Sequence, residues 1–366
     1  MEWIAPGDKA SAMTDRGRRH RRAIRENRLL PAREPRSLSA DRPSTLRVTL
    51  LTNTPQDQVS SLGEALLIEK IRGWLGSASP RAPFGIGDDC AVVPSGRTAQ
   101  LITVDPVIYG EHFDDSVPAR GAGEKLFKRN LSDIAAMGGR PRAAVVALAL
   151  EDRTRIAWLR EFYRGLANMS RRYQVPLVGG DVARLKGGFV ATLTLVGEAA
   201  AGGRIVTRRG ARRGDVIYVT GSLGGSLASG HHYRFEPRLA EGAWLARRAE
   251  VRAMMDVSDG LAKDLRALEP GGAVAAIEPA LLPRRRGCDV RSALCDGEDF
   301  ELVFAAANGA DLGLFERAFR RRFPRTRLTR IGRFASGQVY PAGAVDLRAL
   351  KGFEHLTGSA SRPRGR

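Results

Sequence analysis

Hydrophobic residues recur at helical or strand spacing from Leu62 to about residue 333. In "LGEALLIEKIRGWL", the apolar positions 62, 66, 68, 71 and 75 follow the helical period and predict a helix. Similar patterns predict helices over 121–138, 154–172, 239–254 and 309–322, and one from Ser258. Strands are predicted for 99–104, 143–150, 175–179, 187–199, 216–220, 273–277, 299–306 and 327–333. This alternation indicates an α/β or α+β fold.

The chain length predicts more than one domain. A chain of 366 residues exceeds what one hydrophobic core usually serves. Glycine and arginine concentrate in "AAGGR" and "RRGARRGD", which predicts a boundary near 200–214. We therefore expect an N-terminal domain over 58–205, a C-terminal domain over 206–356 and a basic tail over 357–366.

Residues 1–57 contain the arginine-rich segment "RGRRHRRAIRENR" and few residues that could form a core. We expect this extension to be disordered, and it lacks the apolar stretch of a secretory signal. The longest apolar run, "AAVVALAL" at 143–150, is too short to span a bilayer, so we expect no membrane segment. The three cysteines form no CxxC pair and fit a reducing cytoplasm.

The net charge of +19 is spread along the chain, and only 7 of the 59 basic residues are lysine. A solvated, arginine-rich surface explains this excess, although attraction to nucleic acid or phosphorylated metabolites is an alternative. Aromatic residues make up only 6% of the chain, which does not favour a nucleic-acid-binding surface.

Six short motifs place acidic residues after small or turn-forming residues: "GDD" at 87–89, "TVD" at 103–105, "NLSD" at 130–133, "GGD" at 179–181, "DVSDG" at 256–260 and "GED" at 297–299. Several follow apolar strands, where α/β folds bind ligands. Mg²⁺ prefers carboxylate and phosphate oxygens, so the set suits a metal–polyphosphate site. Turn or capping roles remain open for Asp88, Asp89 and Ser258. Asp133 differs, because its predicted position inside a helix gives it no capping role.

Other nucleotide-binding motifs do not fit. "GSLGGS" and "GIGDD" match neither the P-loop nor the complete G-x-G-x-x-G pattern, and no zinc spacing occurs. His112 in "GEHF" follows one acidic motif, and it is equally compatible with a substrate contact and with an ordinary loop residue.

Five motifs in order resemble the thiamine-monophosphate kinase family: "GIGDDCAVV", "NLSDIAAMGGRP", "VGGD", "DVSDGLAKDL" and "DGEDFELVF". This family belongs to the aminoimidazole-ribonucleotide-synthetase-like superfamily, and the match runs from Leu62 to about Phe353. The resemblance implies a mixed-sheet N-terminal domain and an α/β C-terminal domain. It also implies a homodimer that transfers the terminal phosphoryl group of ATP to thiamine monophosphate, using several Mg²⁺ ions.

The resemblance also implies residue roles. The expected Mg²⁺ ligands are Asp89, Thr103, Val104, Asp105, Asp133, Asp181, Asp256 and Asp259. The expected ATP contacts are Gly180, Asp181, Arg208 and Ser258. The expected thiamine monophosphate contacts are His112, Glu298 and Phe353, although Phe353 is equally compatible with a hydrophobic plug. No general base is expected, because the accepting phosphate oxygen is already ionised.

Departures from the family pattern leave alternatives open. The family commonly has Ser-Thr-Asp-Thr where this chain has "TVDP" at 103–106, so one hydroxyl is lost and a proline is gained. Another ATP-dependent enzyme of the superfamily, such as aminoimidazole-ribonucleotide synthetase, is the main alternative. A nucleic-acid-binding protein is a weaker one.

Overall fold

The computed structural model describes residues 54–57, 61–62, 64–75, 84, 86–95, 98–337 and 340–353. The predicted basic tail and the predicted extension, apart from residues 54–57, lie outside the described residues. Within the described ranges, no helix has both the length and the apolar character needed to cross a membrane.

Helices and strands alternate along the described chain, as the sequence predicts. The helices are α1 (Glu64–Leu75), α2 (Ala119–Ala136), α3 (Ile156–Tyr173), α4 (His231–Arg234), α5 (Leu239–Leu245), α6 (Leu261–Asp264), α7 (Val290–Cys295) and α8 (Leu312–Arg322). The strands are β1 (Ala91–Ser95), β2 (Thr98–Ile108), β3 (Gly139–Leu150), β4 (Leu177–Arg184), β5 (Phe189–Ala199), β6 (Val216–Thr220), β7 (Val251–Asp256), β8 (Ala273–Ile277), β9 (Leu302–Ala306) and β10 (Leu328–Ser336). The mixed α/β class is confirmed.

The first sheet has the strand order β1-β2-β5-β3-β4. It is mixed, because β3 and β4 are parallel and the other recorded pairs are antiparallel. Alternate residues of β5 are buried, and Leu193 and Leu195 join a core with Leu126 of α2 and Phe162 of α3. The two helices therefore cover one face of this sheet.

Helices α2 and α3 approach so closely that their backbones touch. A Cβ atom on Gly123 would lie 2.1 Å from the Phe162 carbonyl oxygen, and one on Gly165 would lie 2.1 Å from that of Arg120. Only glycine fits at both positions. This contact anchors α2, which carries much of the candidate site described below.

The second sheet has the strand order β7-β9-β6-β10-β8, and its recorded pairs are antiparallel. Both of its faces are buried. In β6, Ile217 and Val219 join one core, whereas Val216 and Tyr218 join another. Burial on both faces explains why β6 is a continuous apolar run. The predicted division into domains at about residue 205 stays a prediction.

The predicted helix over 239–254 is wrong in its second half. Helix α5 ends at Leu245, and strand β7 begins at Val251. The segment "VRAMMD" has apolar residues that fit either structure by spacing. Pairing with β9 decides for a strand, because it buries Met254 in one core and Met255 in the other.

Strands β2 and β4 continue further than the sequence predicts. Pro106 does not end β2, which runs on to Ile108. The pairing of β2 with β1 ends at Ile102. At Pro106, the one recorded neighbour of β2 is β5, so a proline is tolerated there. The motifs at 103–105 and 179–181 therefore lie inside strands and not at strand ends.

Candidate metal and phosphate site

Three aspartates from distant parts of the chain converge. Carboxylate oxygens of Asp89, Asp133 and Asp256 lie within 4.8 Å of one another. Asp89 precedes β1, Asp133 lies in the last turn of α2, and Asp256 ends β7. The prediction that Asp133 lies inside a helix is confirmed. Oxygen-only donors at this spacing match the ligands that Mg²⁺ prefers.

Asp133 is surrounded by negative charge. Removal from water raises its pKa well above the usual range, and the charges of Asp105, Asp256 and Asp89 raise that pKa further. The Thr103 hydroxyl donates a hydrogen bond to Asp133 Oδ2. Bringing these carboxylates together is therefore costly for the protein alone, and a bound cation would offset that cost.

Asp256 is buried and has a similar environment. Burial, followed by the charge of Asp89, raises its pKa to about 8. Ser132 Oγ donates a hydrogen bond of 2.6 Å to Asp256 Oδ2 and fixes the carboxylate. Ser132 and Asp133 are neighbours in α2, so one helical turn supports two corners of the cluster.

Asp88 and Asp89 have different partners. Asp89 accepts two hydrogen bonds from the Arg208 guanidinium, at 2.9 Å and 3.1 Å. Asp88 accepts from the Arg208 backbone N–H at 2.8 Å, and burial raises its pKa to about 6. Asp89 thus joins the cluster, whereas Asp88 fixes the backbone of the segment that presents Arg208.

The motif at 103–105 borders the cluster. Asp105 Oδ2 accepts a hydrogen bond of 3.2 Å from Arg129 Nε, and the Asp105 N–H donates to Asn130 Oδ1 at 3.1 Å. Thr103 is buried on the helix-covered face, next to Asp133. The side chain of Val104 points to the opposite face and is 57% exposed, so only its backbone carbonyl is available as a ligand.

The "DVSDG" motif folds around another aspartate, Asp264. Its Oδ2 accepts hydrogen bonds from the N–H groups of Ser258 and Asp259, both at 3.0 Å. Burial, then the charges of Asp259 and Asp256, raises the Asp264 pKa well above its usual range. Gly260, and not Ser258, precedes α6. Asp264 was not among the predicted site residues, although it lies within the motif "DVSDGLAKDL".

Phe353 contacts the loop formed by the "DVSDG" motif. Its N–H donates to the Asp259 carbonyl at 2.8 Å, and its own carbonyl accepts from Lys263 Nζ at 2.9 Å. Lys263 also pairs with the Asp259 carboxylate at 2.8 Å. The structure therefore brings Phe353 next to the backbone of Asp259. The expected contact of Phe353 with thiamine monophosphate stays a prediction.

Gly180 and Asp181 lie elsewhere in the same chain. Asp105, Leu193, Val146 and Gly180 occupy one register across β2, β5, β3 and β4. Three strand spacings place Gly180 roughly 14 Å from Asp105. Asp181 is exposed and faces the uncovered side of the sheet. Their roles at a metal or ATP site stay predictions, because the single chain does not bring them to the carboxylate cluster.

Gly180 has a clear packing reason to be glycine. A Cβ atom at this position would lie 1.9 Å from the Val146 carbonyl oxygen in β3. Any side chain would separate the parallel strands β3 and β4. The residue is therefore needed for strand pairing, whether or not it also contacts ATP.

His112 and Glu298 are joined by Lys125, a buried residue of α2. Lys125 Nζ lies 2.8 Å from Glu298 Oε1, 2.6 Å from the His112 carbonyl oxygen and 3.0 Å from His232 Nδ1. Glu298 has a positive φ of 52°, which is uncommon for a residue with a side chain. Lys125 and His232 were not predicted, although the four-residue spacing of Lys125, Arg129 and Asp133 was a visible signal.

The loop that presents Glu298 is held by two buried acids. Asp299 accepts from the Gly224 N–H, the Ser226 hydroxyl and Arg285, all within 3.0 Å. Glu301 accepts two hydrogen bonds from Arg238, at 2.6 Å and 2.7 Å. These charge-assisted bonds fix the segment that directly follows Glu298.

Comparisons with known proteins agree with this arrangement. A family model described as AIR synthase related protein, N-terminal domain, matches residues 87–199. Thiamine-monophosphate kinase from Rhodopirellula baltica is 36% identical over 250 residues, covering 62% of this chain and 77% of the relative. The Escherichia coli K12 enzyme of the same name is 34% identical over 273 residues, covering 66% and 82%.

A solved structure, AaThiL complexed with AMPPCP and TMP, also matches. It is 28% identical, covers 81% of this chain and 98% of its own, and superposes with a TM-score of 0.69. The match extends across both sheets, and the curated relatives exceed 30% identity over more than three quarters of their own length. This chain therefore belongs to the thiamine-monophosphate kinase family.

Proposed function

We propose that this protein transfers the terminal phosphoryl group of ATP to thiamine monophosphate, producing thiamine diphosphate and ADP. The observation that carries the proposal is the convergence of Asp89, Asp133 and Asp256 within 4.8 Å. The names of the relatives and the AMPPCP and TMP bound by AaThiL support the choice of substrates.

Magnesium fits the carboxylate cluster. Asp89, Asp133 and Asp256 would hold Mg²⁺, with Asp105 beside them, and Asp259 would serve a further ion. The Thr103 hydroxyl fixes Asp133, and the Val104 carbonyl is an additional candidate ligand. When bound, Mg²⁺ would neutralise phosphate charge and help to align the reacting groups.

The protein's own groups then orient the substrates. The Arg208 guanidinium donates to Asp89 through Nε and Nη2, and its Nη1 would donate to phosphate oxygens. Ser258 lies in the loop that Asp264 fixes. His112, Glu298 and Phe353 would position thiamine monophosphate. The accepting phosphate oxygen is already ionised near neutral pH, so alignment and charge compensation carry the reaction and no general base is needed.

A homodimer is the proposed assembly. Among the described strands, β4 pairs with β3 alone, so its other edge is open. Val178 and Val182 are 65% and 67% exposed along it, and Val104 and Val145 are exposed on the uncovered face of the sheet. A second copy that lies along the edge of β4 would cover Val178 and Val182 and remove an exposed strand edge. Asp181 and Gly180 would then contribute to the ATP site near the subunit boundary.

A cytoplasmic location is also part of the proposal. Cys90, Cys288 and Cys295 are free thiols in the structure, which suits a reducing compartment. Nucleic acid is not a proposed partner, because a cluster of carboxylates would repel a polyanion in the absence of metal.

An assay with thiamine monophosphate, and with the aminoimidazole precursor as the alternative substrate, tests the proposed function. The full chain is incubated with ATP, Mg²⁺ and thiamine monophosphate, and the products are separated by chromatography. We expect thiamine diphosphate and ADP in equal amounts. No thiamine diphosphate, together with turnover of the aminoimidazole precursor, would favour aminoimidazole-ribonucleotide synthetase instead.

A further inference from the structure

One face of α2 connects the two halves of the proposed site. Lys125, Arg129 and Asp133 are spaced four residues apart and lie on this face. Asp133 belongs to the carboxylate cluster, and Lys125 bonds Glu298. The helical rise separates these two residues by about 12 Å along the axis, with Arg129 midway between them.

Arg129 is buried, with 9% of its surface exposed. Its Nε donates to Asp105 Oδ2 at 3.2 Å. Its Nη1 is buried and has no hydrogen-bond partner among the described residues. The negative charges of Asp105, Glu298 and Asp133 all act on this guanidinium. The group therefore lies between the carboxylates at one end of the face and Glu298 at the other.

We propose that Arg129 binds the phosphate group of thiamine monophosphate. The inference rests on the proposed function, in which the accepting phosphate must lie between the group that holds thiamine and the group that holds the ATP phosphates. Glu298 and the carboxylate cluster are these two groups, and Arg129 is the cation between them. Its planar fork of donors matches the geometry of phosphate oxygens.

A purely structural role explains less of the geometry. An arginine that only neutralises Asp105 would still bury Nη1 without an acceptor, which is unfavourable. Phosphate binding supplies that acceptor. It also places a positive charge between two anionic substrates at the point where they approach one another.

Comparing the binding of thiamine monophosphate with that of thiamine separates phosphate binding by Arg129 from a purely structural role. Dissociation constants for thiamine monophosphate and for thiamine are measured without ATP in wild type, Arg129→Gln and Arg129→Lys. Arg120→Gln is the matched control, because it removes one positive charge from the exposed start of the same helix. We expect Arg129→Gln to weaken thiamine monophosphate binding roughly 10- to 100-fold while thiamine binding stays unchanged. Arg129→Lys weakens it less, and Arg120→Gln changes neither constant.

The outcomes are distinct. If Arg129→Gln keeps the wild-type ratio of the two dissociation constants, the proposal is overturned and Arg129 is a structural partner of Asp105. Thermal unfolding is recorded for each variant, and Arg129→Lys decides the question if Arg129→Gln does not fold. Wild-type protein that binds neither ligand and makes no thiamine diphosphate contradicts the proposed function itself. If the wild type is active but the Arg129 variants bind both ligands as the wild type does, the role of Arg129 is overturned and the proposed function stands.

Discussion

Individual carboxylates in the site are held in an environment that disfavours their charge. Asp133 and Asp256 have raised pKa values because they are removed from water and lie near other aspartates. Arg208 compensates only Asp89 directly, through two hydrogen bonds. Buried carboxylates with raised pKa values and little compensating charge are expected where the side chains bind a cation and do not serve stability.

Replacing Asp133 by Asn should separate catalysis from folding. The folded pKa of Asp133 is raised, so the metal-free wild type loses stability as pH rises above the ordinary aspartate pKa. In chelator near pH 7, the variant should therefore be at least as stable as wild type. Its activity should fall about 100- to 1000-fold, because one charge-stabilising group is lost.

Thermal unfolding and product formation, each with Mg²⁺ and with chelator, measure these effects. Mg²⁺ should raise the melting temperature of wild type and leave that of Asp133→Asn unchanged. Asp152→Asn is the control, since Asp152 is exposed and pairs with Arg184. An Asp133→Asn variant with near-wild-type activity would refute the proposed metal site.

His231 should make the protein sensitive to acid. Burial, then the charge of Arg285, lowers its pKa to about 4. The unfolded chain takes up a proton near pH 6.5, so His231 stabilises the fold above about that pH, and this contribution is lost as pH falls toward 4. We expect His231→Gln to show a smaller drop in melting temperature between about pH 7 and about pH 5 than wild type. Equal drops would show that His231 does not titrate in this way.

Asp133 stands out in the sequence as a candidate ligand, because a carboxylate inside a helix has no local role. Lys125 was missed although its spacing from Asp133 was visible, because its partner Glu298 is 173 positions away and no local pattern records that contact. Arg129 was missed for a related reason, since one arginine among many in a basic chain has no visible partner until the chain folds.

Among the secondary-structure elements, α2 organises the site. It provides Asp133 and Ser132 at one end and Lys125 toward the other, and its position is fixed by the glycine contacts with α3. The helix was predictable from its spacing and from the glycine pair that follows it. Strand β7 was not, because a short apolar segment fits either a helix or a strand until its pairing with β9 is known.

The glycine contact between α2 and α3 gives an element-scale prediction. Gly165→Ala should lower the free energy of unfolding by about 1–3 kcal/mol, because the added Cβ collides with the Arg120 carbonyl. Gly73→Ala in α1 is the matched control. Its Cβ meets nothing within 4 Å, so the change should be neutral or stabilising by up to about 1 kcal/mol. Denaturant unfolding measures both, and equal stability of the two variants would contradict the close helix contact.

On the scale of the whole molecule, the order of the motifs indicated the family, and the comparisons confirm it. The same order did not indicate that Gly180 and Asp181 lie three strands away from Asp105. Motif order contains no information about which strands are neighbours. Among the described strands, β4 has an open outer edge, so this separation fits the proposed homodimer, in which the ATP site lies close to a second subunit.

Placing a charged residue on the outer edge of β4 tests the proposed homodimer. Val182→Glu should shift the wild-type dimer toward monomer, since a buried carboxylate without a partner is costly at an interface. Leu314→Glu is the control, because Leu314 is 58% exposed on α8, beside the other sheet. Light scattering coupled to size exclusion reports the mass. A wild-type monomer, or a Val182→Glu variant that remains dimeric, would argue against this interface.

Transfer of a labelled phosphoryl group is the most direct test of the proposed kinase reaction. The full chain is mixed with thiamine monophosphate, Mg²⁺ and ATP labelled in its terminal phosphate, and the label is followed into the products. We expect the label in the outer phosphate of thiamine diphosphate, one per ADP formed, and we expect chelator to abolish the transfer. Label found only in free phosphate or remaining in ATP would contradict the proposed reaction.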